Sequence, residues 1–300
     1  MVLEKVRRSR LRPRKALVLG VMLAGCFLLR LPSVARIHIN EFAREINRGL
    51  VPVQYIGLER LCGDYSVIYY PKGDERAARL VFAAAEQFFP KVAAEFGLSL
   101  RRRVPVVIYK DQSELNRFFG WPADEGTMGV YWAGTVRVLS PSSWIAEANA
   151  DSLREVFFYT GPMVHEAAHL MVDYRAGGNY PRWLTEGLAQ ETERRLTGFT
   201  FDPPESNSNW YSLKDLERFD YLPDQRLAYY QSLLMVQYLF LHGGDANVFG
   251  LLNDLGQGSS FEQALARNTG CDLSEFETKW REWAGRKHLG AQLENRETGN

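Results

Sequence analysis

Cysteine is scarce in this chain, which has three among its 300 residues. Three cysteines are too few for a disulfide-stabilised scaffold, and no Cys-x-x-Cys pair indicates a zinc ribbon or a redox motif. Neither charge is in excess, since 36 basic side chains balance 36 acidic ones, so the composition does not support nucleic-acid binding. With 46% hydrophobic residues and no repeats or low-complexity segments, the composition is typical of a folded protein with a sizeable core.

The balanced total conceals a basic amino terminus. Residues 1–15 carry seven basic side chains and one acidic one, which leaves a net charge of about −6 on the remainder of the chain. An uncharged apolar run follows, from Ala16 to Leu29. A basic segment before a short apolar run is the layout of an export signal. The positive-inside rule then places the rest of the chain outside the cytoplasm.

Three forms of this signal remain open. The fourteen residues of the run reach about 21 Å as a helix, short of the roughly 30 Å hydrocarbon core. A helix extended to Ala35 spans the core if Arg30 reaches the far interface, and we expect this uncleaved membrane anchor. In the second form, the box Leu-Ala-Gly-Cys resembles the cleavage site of a bacterial lipoprotein, with Cys26 carrying the lipid. In the third form, the signal is cleaved and the protein is secreted.

Apolar periodicity predicts strands in the first half of the chain and helices in the second. The expected strands and one hairpin cover three ranges: Tyr65–Tyr70, Val104–Tyr109 and Gly129–Leu139. The hairpin has its turn at Ala133–Gly134. A helix over Asp74–Phe96 contains Pro90, which we expect to kink or divide it. Because the pattern is helical from residue 151 almost to the end, we predict an α+β fold in which a small mixed sheet packs against a helical half.

One short motif carries recognisable chemistry, because His165 and His169 are separated by three residues and Glu166 directly follows the first histidine. On an α-helix, residues four apart project from the same face, so both imidazoles can bind one metal ion. Glu166 lies one residue further round, where its carboxylate can act as a general base without being a ligand. This His-Glu-x-x-His spacing is the signature of zinc metalloproteases. Pro162 and Gly177 predict where the helix begins and ends.

A catalytic zinc ion has three protein ligands and an open position, so a third ligand is expected downstream. Seventeen residues after His169, Glu186 lies in the segment Trp-Leu-Thr-Glu-Gly-Leu-Ala. The HExxH motif followed by this segment resembles the gluzincin metallopeptidases, in particular the peptidase MA-like family, and the similarity extends over about residues 64–285. The resemblance implies that Glu186 joins His165 and His169 as a zinc ligand. It also implies one Zn²⁺ per chain and a thermolysin-like zincin domain, with the edge strand of its sheet packed against the helical half that carries the zinc.

The resemblance implies further residues around the metal. Asp173 lies one turn after His169, where thermolysin-like sequences often have an aspartate, and we expect it to accept a hydrogen bond from that histidine. An ordinary aspartate at a helix end is the alternative. The same enzymes often have a carboxylate four residues after the zinc-binding glutamate. Here Gln190 occupies that position and Glu191 is adjacent, so the partner of the other histidine stays open.

A hydrogen-bond donor is also expected opposite the metal, because peptide cleavage develops negative charge on the carbonyl oxygen. Related enzymes use a tyrosine or a histidine from the later helices. Tyr229 corresponds to the tyrosine of the family's Tyr-x-Gln-Ser pattern, so it is the expected donor and second catalytic residue. Tyr230 and His242 are the alternatives.

The expected reaction is zinc-dependent hydrolysis of a bond in a peptide or protein, with Glu166 as the general base. The substrate is expected to lie antiparallel along the edge strand near Gly129–Trp132. Aminopeptidases among the gluzincins bind the free amine through a Gly-x-Met-Glu-Asn stretch. The matching Gly126–Gly129 (Gly-Thr-Met-Gly) has no Glu-Asn, which favours an endopeptidase. A non-catalytic zinc-binding envelope protein is the other alternative, although a structural site needs no general base.

These observations divide the chain into four parts: a basic head with the signal or anchor over 1–35, a linker or stalk over 36–63, a catalytic domain over 64–288 and a polar tail over 289–300. We expect a membrane-anchored protein whose catalytic domain lies outside the cytoplasm. Its partners are expected to be peptides and the membrane, with no nucleic acid. Cys62 and Cys271 either form a disulfide there or remain free thiols.

Overall fold

The computed structural model describes residues 32–146, 149–201, 204 and 210–298. The predicted signal or anchor, with its apolar run Ala16–Leu29 and Cys26, lies outside the described residues. Among the helices that are described, none combines the length and the apolar character needed to cross a membrane. Cys62 and Cys271 are both free thiols.

A mixed sheet forms the first half of the domain. Its five strands are β1 (Glu59–Cys62), β2 (Ser66–Tyr70), β3 (Val104–Tyr109), β4 (Gly129–Trp132) and β5 (Thr135–Leu139). The spatial order is β1-β2-β3-β5-β4, with β2, β3 and β5 parallel and the outer two strands antiparallel to their neighbours. All six residues of β3 are buried, as expected for a central strand covered on both faces. The predicted strand over Val104–Tyr109 is confirmed.

The hairpin of β4 and β5 sets the edge of the sheet. Ala133 and Gly134 occupy its two-residue turn with φ angles of 44° and 80°, and Trp132 pairs with Thr135 across it. A two-residue turn with both φ angles positive matches the twist of the two strands, and glycine is common in such turns because it adopts positive φ without strain. The predicted turn is confirmed, and it leaves β4 as the last strand on this side.

The helices are α1 (Ser33–Gln54), α2 (Glu75–Glu95), α3 (Gln112–Phe119), α4 (Ala150–Thr160), α5 (Met163–Ala176), α6 (Arg182–Thr197), α7 (Gln225–Gly256), α8 (Phe261–Thr269) and α9 (Leu273–Thr298). Of the two outcomes expected at Pro90, division of α2 is wrong, because the helix runs unbroken through that residue, while a kink stays a prediction. Proline removes one backbone hydrogen bond, and the buried Phe88, Phe89 and Val92 on either side hold the helix against the core.

The sheet separates two cores of unequal size. The larger one lies between the sheet, α2 and the helical half, and helix α5 packs there against α2, α6, α7 and the edge strand β4. On the opposite face, Val51 of α1 and Leu115 of α3 cover Tyr69, Val107 and Tyr109 of the sheet. This arrangement of a small mixed sheet and a helical half confirms the predicted α+β class.

Residues 36–63, predicted as a linker or stalk, instead form α1 and β1 and pack on the domain. Arg44 of α1 donates to a carboxylate oxygen of Asp173 at 2.9 Å, and both side chains are 11% exposed. Asn47, one turn further, donates to the hydroxyl of Thr135 in β5 at 3.1 Å. These docking contacts are made by polar side chains, and apolar periodicity in the sequence does not reveal them.

The docking of α1 can be tested by comparing two ion pairs on this helix. Arg44→Met keeps the apolar stem but leaves Asp173 buried without its cation, so we expect the free energy of unfolding to fall by about 3–5 kcal/mol. Arg102→Met removes the exposed pair with Glu45, where the side chains are 75% and 45% exposed, and should change stability by about 0–1 kcal/mol. Urea denaturation measures both variants, and equal losses would contradict the docked position of α1.

Candidate metal centre

Helix α5 presents both histidines of the HExxH motif on one side. It begins directly after Pro162 and ends at Gly177, which has the left-handed conformation typical of a helix C-cap. Ala167 and Ala168 lie between the histidines and are fully buried in the core. Because the helix is fixed by these small buried residues, His165 and His169 project together towards α6.

Helix α6 brings the third residue to this place. Its first turn is anchored by the buried Trp183, whose ring contacts Phe261 and Phe276. Gly187 lies against α7 so closely that a Cβ atom there would be 2.2 Å from the carbonyl oxygen of Ser232. This close approach explains the glycine of the Trp-Leu-Thr-Glu-Gly-Leu-Ala segment and leaves Glu186, its neighbour, facing α5.

The three predicted ligands converge on one point. One ligating atom from each of His165, His169 and Glu186 lies within 4.8 Å of the other two. Oε2 of Glu186 is 3.5 Å from Nε2 of His165 and 3.6 Å from Nε2 of His169. Two imidazole nitrogens and one carboxylate oxygen are the donor set of a catalytic zinc site.

The other ring nitrogens are engaged elsewhere. Nδ1 of His169 lies 2.7 Å from the hydroxyl of Thr185, and Nδ1 of His165 lies 3.4 Å from a carboxylate oxygen of Glu193. Metal-binding histidines typically have such a partner on the nitrogen that does not bind the metal, because it fixes the ring and its tautomer. Since both Nε2 atoms face Glu186, the donor set fits a metal ion.

The expectation for Asp173 is wrong, because its carboxylate does not meet His169. It accepts hydrogen bonds from the hydroxyl of Tyr131 and from Arg44 instead. The orienting contact to His169 comes from Thr185, which directly precedes Glu186 in the sequence. Asp173 therefore ties the HExxH helix to the edge strand and to α1 rather than to the metal.

The protonation of these groups shows how buried charge is balanced. Burial opposes the charge on Glu186, but His169, His165 and Arg182 outweigh it and lower the pKa of Glu186 to about 2. Burial lowers the pKa of His169 to about 4, so this ring is neutral at pH 7. Burial by itself lowers the pKa of His165, but the contacts of this ring with Glu186 and Glu193 outweigh burial and raise the pKa well above the usual value. A metal ion binds the neutral form of an imidazole, so metal binding here competes with protonation of His165.

Glu166 stands beside the ligands without joining them. Burial raises the pKa of Glu166 to about 7, and its Oε2 accepts a hydrogen bond from the backbone N–H of Tyr131 in β4. The strand reaches the helix because Gly129 has no side chain: a Cβ there would be 2.6 Å from Cβ of Pro162 and 3.0 Å from Cγ of Glu166. The carboxyl group is thus held between the metal ligands and the edge strand.

A cleft of about 540 Å³ opens beside these groups, and His165, Glu166 and Tyr229 all line it. Burial raises the pKa of Tyr229 to about 12, so its hydroxyl keeps its proton at neutral pH. Tyr230 also lines the cleft, whereas His242 packs against Tyr238 with ring centroids 4.3 Å apart and is not among the lining residues. The apolar part of the wall comprises Met128, Leu139, Trp144, Phe199 and Phe201.

Sequence reasoning missed three polar residues of the site: Arg182, Thr185 and Glu193. Arg182 donates from Nε to Oε1 of Glu186 at 3.2 Å and so holds the oxygen that does not face the histidines. All three lie on α6: Arg182 is four residues, Thr185 one residue and Glu193 seven residues from Glu186. The four- and seven-residue spacings place Arg182 and Glu193 on the same face as Glu186, and this was the available signal. Gln190 binds backbone carbonyls, and Glu191 pairs with Arg194 and Arg195.

A substitution at Glu193 tests this arrangement without replacing any of the three metal ligands. Glu193→Gln removes the negative charge that orients His165, and we expect zinc affinity to fall about 10–100-fold. Glu191→Gln, a matched loss of a buried carboxylate on the same helix, should leave zinc affinity within about twofold because that group faces away from the histidines. Competition with a chromogenic chelator measures both, and equal affinities in the two variants would contradict the role assigned to Glu193.

Two solved structures are similar to this chain at low identity. An M1 zinc metallopeptidase from Deinococcus radiodurans is 18% identical, with a TM-score of 0.38, and the match covers 75% of this chain and 51% of that one. A glutamate-to-alanine mutant of that metallopeptidase is 16% identical with a TM-score of 0.38, covering 74% and 52%. The chain spans about half the length of these structures. A search of curated proteins finds no match.

The sequence profile described as the Peptidase MA superfamily matches residues 84–285, about two thirds of the chain. The match covers the hairpin, the HExxH helix and the Glu186 helix, and so confirms the resemblance found in the motifs. It also agrees with the expected zincin-type domain and with the expected class of enzyme, a zinc metallopeptidase. The chain belongs to the peptidase MA superfamily.

Proposed function

We propose that this protein is a zinc-dependent endopeptidase, anchored to a membrane, whose catalytic domain lies outside the cytoplasm. The observation that carries the enzymatic part is the convergence of His165, His169 and Glu186, with each histidine held by a second partner on its other nitrogen. A site built for structure alone would not need a buried, unligated carboxyl group beside it. Glu166 is such a group.

His165, His169 and Glu186 are the residues that would hold the zinc ion. When bound there, Zn²⁺ supplies a Lewis acid that polarises the scissile carbonyl and activates water for attack. The chain's own part begins with Arg182 and Thr185, which keep Glu186 and His169 in place before substrate arrives. Such preorganisation avoids the free energy of rearranging polar groups during the reaction.

Glu166 is assigned as the general base and then the general acid. Its Oε2 is fixed by the N–H of Tyr131, so Oε1 is the oxygen we assign to taking the proton of water and delivering it to the leaving amine. A catalytic group works best with a pKa near the working pH, and burial supports this by raising the pKa of Glu166 to about 7. Tyr229, which keeps its proton and lines the cleft, is the assigned donor to the carbonyl oxygen.

The edge strand supports an endopeptidase. Because β4 is the last strand of the sheet, an extended peptide can pair with its outer side and continue past the site in both directions. Gly126–Gly129 contains no carboxylate that could bind a free amine. Nothing in this segment therefore requires the amino terminus of the substrate to lie there. An internally quenched peptide blocked at both ends tests this: its cleavage is expected, while exclusive cleavage of free aminoacyl substrates would favour the aminopeptidase.

Membrane anchoring is supported by the sequence of the amino terminus. The apolar run Ala16–Leu29 follows seven basic residues, a pattern that orients a signal anchor with the basic end in the cytoplasm. Lipidation at Cys26 is the alternative, and it leaves the catalytic domain on the same side of the membrane. Fractionation of cells that express the full chain, with and without Cys26→Ala, separates the two forms of attachment.

Zinc content and peptidase activity should separate in two variants. We expect His165→Ala to lose most of its zinc, because only two ligands remain, and to lose its activity with it. Glu166→Gln keeps all three ligands, so its zinc content should match the wild type while cleavage falls at least about 100-fold. Elemental analysis and casein cleavage on the same samples measure this. A wild-type chain that folds without zinc, or an active Glu166→Gln variant, would overturn the assignment.

Tyr229 and Tyr230 are adjacent and both line the cleft, which allows a direct comparison. Tyr229→Phe removes the donor to the developing oxyanion, so kcat should fall about 100–1000-fold with little change in zinc content. Tyr230→Phe removes a hydroxyl that we place outside the reaction, and kcat should stay within about threefold. If the larger loss follows Tyr230→Phe, that residue is the donor.

A further inference from the structure

Helix α1 has apolar residues on two opposite faces. The inner face is docked on the domain through buried residues that include Ile37 and Val51. The outer face exposes five large apolar side chains, Ile39, Phe42, Ile46, Leu50 and Val53, and Ile56 follows just after the helix. Phe42 and Val53 are 69% and 67% exposed, and Ile56 is 87% exposed. A surface that only faces water rarely carries such a continuous apolar row.

The row runs along the helix for most of its length. The spacings from Ile39 through Phe42 and Ile46 to Val53 are three, four and seven residues, so these side chains share one face. At 1.5 Å per residue, the row from Ile39 to Val53 is about 21 Å long. We call these residues, with Leu50, the outer stripe of α1.

Positive charge lies beside the middle of the outer stripe. Arg101, Arg102 and Arg103 are consecutive and all exposed. Arg102 is 2.8 Å from Glu45 of α1, and Arg48 of α1 donates to the carbonyl oxygen of Arg103 at 2.9 Å. An apolar helix face flanked by basic residues is the pattern of helices that lie in the interface of an anionic bilayer.

The apolar run of the amino terminus ends close to this helix. Leu29 is four residues before Ser33, where α1 begins, and four extended residues span at most about 14 Å. A bilayer that holds the run must therefore lie near the first turn of α1. The outer stripe meets that lipid surface when α1 runs along it, and the basic residues beside the stripe favour this direction.

We infer that α1 lies along the bilayer surface, with the outer stripe in the boundary between headgroups and acyl chains and Arg101–Arg103 at the lipid phosphates. The inference rests on the proposed membrane anchoring and names the surface against which the domain is held. A second copy of the chain fits less well. In an antiparallel two-fold pairing about the middle of the stripe, the two Arg101–Arg103 triplets would lie on the same side and repel each other.

The test uses the full chain with its three cysteines replaced by serine and one new cysteine for a fluorescent NBD label. Phe42→Cys places the label on the outer stripe, and Glu155→Cys places it on the exposed side of α4, which packs on α2 and α6. Both proteins are reconstituted in vesicles of phosphatidylcholine and phosphatidylglycerol with doxyl-labelled lipid. We expect both to float with the vesicles, and quenching with an emission shift to shorter wavelength only for the label at 42.

Each other result overturns the inference in a recognisable way. Flotation without quenching at 42 leaves the anchor standing but removes α1 from the lipid surface. No flotation removes the uncleaved anchor, because lipidation at Cys26 is already excluded by the serine replacement, and the inference that rests on this anchor goes with it. A shifted label at 42 that lipid does not quench means that protein covers the stripe, and disulfide cross-linking between the unlabelled Phe42→Cys chains then identifies a second copy. Replacing Arg101–Arg103 by serine should reduce the quenching at 42, and unchanged quenching would remove the phosphate contact.

Discussion

The burial of three glutamates around two histidines is the constraint on which the rest of the structure depends. Glu166, Glu186 and Glu193 are each less than 10% exposed. Glu186 faces both rings, whereas Glu193 and Glu166 interact with that of His165. Carboxylates are stable in such a place only if positive charge balances them or protons neutralise them. The pairing of α5 with α6 collects this negative charge, and a divalent cation is the group that best relieves it.

The second constraint is the chain of contacts that runs from α1 to Glu166, the proposed general base. Arg44 pairs with Asp173, Asp173 accepts from the hydroxyl of Tyr131, and the backbone of Tyr131 donates to Glu166. One residue of the edge strand thus fixes the strand to the HExxH helix at two points. These contacts therefore fix the distance and orientation between β4, where the peptide would lie, and the carboxyl group of Glu166.

Features carried by local sequence could be predicted, whereas those that depend on distant contacts could not. The HExxH helix, β3 and the turn at Ala133–Gly134 are specified by residues next to one another. The helix spacing and the resemblance both predict that Asp173 meets His169, but Arg44, 129 residues away in sequence, and Tyr131 bind it instead. The division expected at Pro90 and the linker or stalk expected over residues 36–63 are absent for the same reason, since packing against the rest of the domain outweighs the local pattern.

The two close approaches at Gly187 and Gly129 have a consequence for how this domain tolerates change. At both places two elements approach so closely that the glycine has no room for a Cβ atom. At Gly187 the neighbouring group is a main-chain carbonyl. Side chains elsewhere in the core can be exchanged for others of similar volume, because rotamers adjust and absorb small differences. A carbonyl group in a helix has no such freedom. The domain should therefore accept many substitutions in its core, whereas a single added methyl group at Gly187 or Gly129 forces two elements apart.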